Sequence, residues 1–114
     1  MDDKKIAVST NDFKKLSGNT FGKSHYYQIF QMDDPEFEVM DTRENVLFRQ
    51  VCDLTGRIEH LHGLLGDVRY LIGNQFQQDV KQSLQDLGHE TIEAAPDSIP
   101  EVLEQFRASW QETQ

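Results

Sequence analysis

VRYLIGNQFQQDVKQSLQDLGHETIEAAPDSIPEVLEQFRASW, residues 68–110, alternates strand and helix twice, and that alternation decides the fold. Val68-Arg69-Tyr70-Leu71-Ile72 is a short β-rich apolar run closed by the turn residues Gly73-Asn74. Phe76, Val80, Leu84 and Leu87 follow on one helical face, and Gly88 stands where left-handed backbone ends a helix. Residues 89–94 read as a second strand. Ser98-Ile99-Pro100-Glu101 then forms a capping box, with Ser98 at the N-cap and Glu101 at the third helical position. The helix it opens has a buried stripe of Ile99, Val102, Leu103, Phe106 and Trp110.

Upstream of this core the pattern changes to antiparallel β. Ile6-Ala7-Val8-Ser9 is a buried first strand, closed by Asn11-Asp12. Residues 11–24 hold Ser, Asn, Asp, Gly18 and Gly22, a loop composition suited to one end of a sheet. Residues 26–32 and 37–42 are β-rich, and Asp33-Asp34-Pro35 between them supplies the turn of a hairpin. Leu47, Val51, Leu54, Ile58, Leu61 and Leu65 are then spaced as an amphipathic stripe, which predicts a helix over residues 45–65, starting at Asn45. Gly56 lies inside it, and a break into two shorter helices there is the main alternative. The whole is expected to be one α/β domain over residues 1–114: a mixed five-stranded sheet with about three helices. In such sheets ligands gather beyond the carboxyl ends of strands, here the loops after Ser9 and Ile72.

Composition narrows the function. Eleven Lys and Arg against twenty Asp and Glu give a net charge of −9, with no basic stripe to track phosphates, so nucleic acid is not an expected partner. The single cysteine, Cys52, forms no internal disulfide, and no apolar run is long enough to cross a bilayer. Together these predict a cytoplasmic protein without a membrane partner. GxSxG, HExxH, Walker, CxxC and GxGxxG patterns are all missing, which removes the commonest catalytic signatures.

The remaining candidates are scattered. His25, His60, His62, His89 and Cys52 are the imidazole and thiol groups able to take a soft or borderline metal. The plain reading of each is a hydrogen-bonded or packed side chain. Cys52 and His62 lie too far apart along a straight helix to share one ion, and His60 and His62 point in different directions on one. His25 is the strongest candidate, because it follows the Gly-containing loop and precedes a strand that would fix its backbone. Thr20-Phe21-Gly22-Lys23-Ser24 is a candidate anion-holding turn, with backbone amides, a hydroxyl and the Lys23 ammonium. Gly73-Asn74-Gln75, before the second helix, is another, through the free amides of a helix start.

Lys5-Ile6-Ala7-Val8-Ser9, the Thr20–Ser24 turn leading into Tyr27-Gln28-Ile29-Phe30, and Leu71-Ile72-Gly73 resemble the dinitrogenase iron–molybdenum cofactor biosynthesis family, the NifX- and NafY-type domains. The likeness extends through Arg57-Ile58-Glu59-His60-Leu61, Leu84-Gln85-Asp86-Leu87-Gly88 and the last helix. It implies a ribonuclease H-like fold without nuclease carboxylates, and a carrier, not a catalyst. The implied ligand is an iron–sulfur or iron–molybdenum cofactor cluster, and the implied partners are cofactor-assembly or nitrogenase-type proteins. Members often carry His immediately before the Phe-Gly of the turn, where this chain has Thr20. His25 is then the substitute ligand from the other side of the turn, with Thr20, Gly22, Lys23, Gly73 and Asn74 around it. Cys52 and His62 fall where some members carry cluster-associated residues. The alternatives are a metal-free interaction or regulatory domain that retains the fold, and, with least in its favour, a small-molecule enzyme using pockets at the strand ends.

Overall fold

The computed structural model describes residues 2–33, 36–45 and 53–112. Its strands are β1 (Asp2–Thr10), β2 (Tyr26–Asp33), β3 (Glu36–Glu44), β4 (Val68–Gly73) and β5 (Glu90–Glu93), and its helices are α1 (Leu54–Leu65), α2 (Gln78–Asp86) and α3 (Ile99–Glu112). The strands form one five-stranded sheet in the order β3-β2-β1-β4-β5. β1 pairs antiparallel with β2 and β2 with β3, while β4 pairs parallel with both β1 and β5. This is the expected mixed α/β sheet with three helices, and its arrangement is compatible with a ribonuclease H-like motif.

β1 and β4 carry continuous buried apolar runs, Ile6-Ala7-Val8 and Tyr70-Leu71-Ile72, because both faces of the sheet are covered there. On one face Ile6, Val8, Phe30, Met32, Tyr70 and Ile72 meet Ile99, Val102, Leu103 and Phe106 of α3. On the other, Ala7, Tyr27, Ile29 and Leu71 meet Leu61 and Leu65 of α1 and Val80 and Leu84 of α2. Each large aliphatic side chain buried this way contributes about 1.5–3 kcal/mol. β3, at an edge, leaves Val39 and Met40 exposed among Glu36, Glu38, Asp41 and Glu44.

Two local expectations hold closely. Gly88 follows α2 with φ 98°, the left-handed value that ends the helix. The Ser98 hydroxyl accepts the Glu101 amide at 3.4 Å, the first half of the capping box. The first helix differs from its prediction. Asn45 is not its start: α1 begins at Leu54, because Asp53 caps it by accepting the Gly56 amide at 2.7 Å. Gly56 therefore sits in the first turn and not at an interior break. Leu47, Val51 and Cys52, and Asp34 and Pro35 of the hairpin turn, lie outside the described residues, as does the side chain of Trp110. No described helix is long and apolar enough to cross a membrane.

Candidate functional site

Because β1 and β4 are parallel, the loops that follow them emerge at the same end of the sheet. They are joined there by backbone. The Phe21 amide donates to the Gln75 carbonyl at 2.8 Å, and Thr20 and Gln75 form a parallel bridge. Phe21 seals the junction, with its buried ring stacked on Phe76 and tilted against Tyr27, each at a centroid distance of 4.9 Å. Gly73 is required beneath it. A Cβ there would stand 2.9 Å from Phe21 Cδ1 and 3.2 Å from its Cβ, closer than carbon atoms tolerate.

Under this junction is a knot of buried polar groups centred on Asn45, which is 1% exposed. Its Nδ2 donates to the carbonyls of Gly22 at 3.0 Å and Ser24 at 2.9 Å, and to the Tyr27 hydroxyl at 3.3 Å. Its Oδ1 therefore faces His60 Nε2, 2.9 Å away, as the acceptor. The Tyr27 hydroxyl donates to the Phe21 carbonyl at 2.6 Å, and burial raises its pKa so that the proton stays on. Burial also pushes the His60 pKa down. The Asn45 amide fixes the His25 carbonyl at 2.8 Å, and Asn11 Oδ1 accepts the His25 amide at 3.0 Å.

The predicted site residues divide accordingly. Thr20, Gly22, Lys23, His25, Gly73 and Asn74 gather at this end, although they play different parts. Lys23 is exposed at the end of a short 3-10 turn, and His25 is half-buried beside Tyr26. Gly73 is a packing necessity. Asn74 braces the exit of β5 by donating to the Ala94 carbonyl at 2.9 Å. Gly73-Asn74-Gln75 is not a helix start, because α2 begins only at Gln78, after Phe76 has packed on Phe21. The Thr20–Ser24 turn closes in part on itself. The amides of Lys23 and Ser24 bond to the carbonyls of Thr20 and Phe21, at 2.9 and 3.5 Å.

His62 stands apart from His25. It lies in the last turn of α1, and its Nδ1 is 3.1 Å from Nε2 of His89, whose Nδ1 donates to the Val68 carbonyl at 2.7 Å. Val68 opens β4, so this pair marks the opposite end of the sheet from Gly73. Burial, helped by the neighbouring His62, lowers the His89 pKa. Cys52 lies outside the described residues. Sequence reasoning missed Asn45, which it placed in a helix, and the polar role of Tyr27, which it placed in a strand. No local signal marks Asn45, whose partners are 15 to 23 residues away in sequence.

Two solved structures share this architecture. The apo form of the orange protein from Desulfovibrio gigas superposes with a TM-score of 0.73, at 12% identity, over 93% of this chain and 88% of its own. A Thermotoga protein solved by NMR, described as a candidate NifB protein of the DUF35 family, gives a TM-score of 0.67 at 17% identity, over 92% of this chain and 88% of its own. No curated protein matches the chain. Over residues 3–109 the chain matches the family described as dinitrogenase iron-molybdenum cofactor, and it belongs to that family.

Proposed function

We propose that this chain is a non-enzymatic accessory domain that binds or carries an iron–sulfur-based, nitrogenase-type cofactor or its precursor. Its partners are then the cofactor-assembly or nitrogenase-type proteins that deliver and receive the cluster. The observation that carries the reading is the rigid junction at the loop end, where the Phe21–Gln75 bond and the Asn45 knot fix the backbone on both sides of His25. A ligand held on that backbone is positioned without needing a deep cavity.

An iron–sulfur cluster is ordinarily held by four cysteine thiolates and a zinc-like ion by three or four donors, and this chain has a single cysteine, so the group it would carry is a preformed cofactor that brings most of its own ligands. Among the described residues no three His, Cys, Asp or Glu side chains are grouped to hold such an ion. His25 would supply a ring nitrogen and Lys23 a balancing positive charge. The bound group supplies the metal chemistry for its acceptor; this chain holds and releases it.

A second reading, a metal-free interaction domain, is favoured by Thr20 at the family's histidine position and by a turn whose amides bond to its own carbonyls. Anaerobic reconstitution with iron and sulfide separates the two. The first reading predicts visible charge-transfer absorption and retained iron in the wild type, both largely lost in His25→Ala. A wild type without iron, or His25→Ala with full binding, counts against it, and a stable complex formed by metal-free protein supports the second.

A further inference from the structure

Beside the candidate site stands a feature that cofactor binding does not explain. Phe13 is 43% exposed and has φ 62°, a left-handed conformation unusual for a bulky residue. The chain is built to hold it there. Asp12 Oδ1 accepts the amides of Lys14 and Lys15 at 2.9 and 3.1 Å, and the buried Thr10 hydroxyl accepts the Phe13 amide at 3.0 Å while donating to the Lys15 carbonyl at 2.8 Å. The Phe13 ring is thereby laid against Tyr26, at a centroid distance of 4.7 Å, and the Tyr26 ring is in turn 6.4 Å from that of His25.

The charge around it is inverted relative to the rest of the molecule. The chain carries −9, yet residues 11–25 hold Lys14, Lys15 and Lys23 against the single carboxylate of Asp12. That carboxylate is occupied by loop amides, and the three lysines are exposed, with no ion pair holding any of them among the described residues. An exposed aromatic side chain followed directly in the chain by Lys14 and Lys15 pairs an apolar anchor with charges suited to an interface rim.

We propose that the Phe13–Tyr26 pair with Lys14 and Lys15 is a docking epitope for an acidic protein partner, taking Phe13 as the apolar anchor and the lysines as the steering charges. A nucleic acid is the poorer fit, because a long polyanion must pass the acidic remainder of this chain. The proposal rests on the carrier reading for its purpose, since a carrier must present its site to a donor or acceptor. Its test does not need the cluster.

The probe is the peptide acetyl-Glu-Glu-Leu-Glu-Glu-Leu-Glu-Glu-amide, titrated into cluster-free protein and followed by amide and side-chain NMR. Shifts should saturate at Phe13, Lys14, Lys15 and Tyr26, weaken at least about fivefold on raising salt from 50 to 500 mM, and be lost in the Lys14→Glu/Lys15→Glu variant. Phe13→Gly is the second variant: it should weaken binding about fivefold or more while leaving Tm unchanged or higher, because glycine accepts the left-handed backbone. Retained binding in both variants overturns the proposal. So does tighter binding of a thymidine 20-mer at the same residues, or reproduction of the shifts by sodium sulfate at equal ionic strength. Iron retention by Phe13→Gly after reconstitution reports separately on the carrier reading.

Discussion

The two ends of the sheet are both held by buried polar side chains, but by different kinds. At the loop end Asn45 and Tyr27, which stay neutral across the ordinary pH range, bind the carbonyls of Phe21, Gly22 and Ser24. At the far end His62 and His89 link α1, the start of β4 and the approach to β5 through paired imidazoles, and burial pushes the His89 pKa down. The difference teaches where shape and where pH sensitivity reside. The carbonyls of the candidate site are held by Asn45 and Tyr27, which do not titrate, with the His60 imidazole beside them, while at the opposite end burial makes the His89 imidazole acid-sensitive.

The strongest way to break this comparison is Asn45→Leu. It leaves two buried carbonyls and His60 without their partner, and should lower stability by about 3 kcal/mol, read as a fall in the urea midpoint with unchanged slope. A loss below about 1 kcal/mol contradicts the role given to the knot.

Gly73→Ala tests the other half of the junction. The added methyl meets Phe21, so the variant should lose about 1–3 kcal/mol by overpacking, with NMR shifts spreading from Phe21 toward Thr20 and Gln75. A neutral substitution means that Phe21 moves freely and the junction is not rigid.

The smallest effect concerns one imidazole at each end. Burial depresses the pKa of His89 at the far end and of His60 beside Asn45 below the ordinary value of 6.5. The unfolded chain therefore binds more protons than the folded one in that window. The stabilisation is fully present above about pH 6.5 and is lost as pH falls through the depressed values. Urea midpoints at pH 7.5 and 5.0 should show this decline, and His89→Asn should flatten it in part. An equal decline in wild type and variant sharpens the comparison differently, by assigning the dependence to His60.

Much of this molecule is legible in its sequence. The stripe of Ile99, Val102, Leu103 and Phe106, the helix-ending Gly88 and the apolar run at Ile6 each follow from local periodicity or turn chemistry, and each stands where periodicity puts it. The apolar spacing that carried helix one back to Asn45 failed for a physical reason. The Asp53 cap is a one-residue signal that a continuous stripe masks. The loop end was visible as a place, through strand polarity, but not as a mechanism. Asn45 reaches carbonyls 21 and 23 residues away, and Phe13 owes its backbone to Thr10 and Asp12 acting together. The Asn45 bonds depend on folded proximity, for which a single sequence has no periodic signature, and the Phe13 turn is local but shares its composition with any Asp- and Asn-containing loop.

The central claim, that a cluster binds at the loop end and not at the far histidine pair, is tested most directly by histidine-selective 15N NMR of the anaerobically reconstituted protein. The account predicts that the His25 ring signals broaden beyond detection beside the paramagnetic iron, while those of His62 and His89 persist. Loss of the His62 and His89 signals with His25 retained would contradict it.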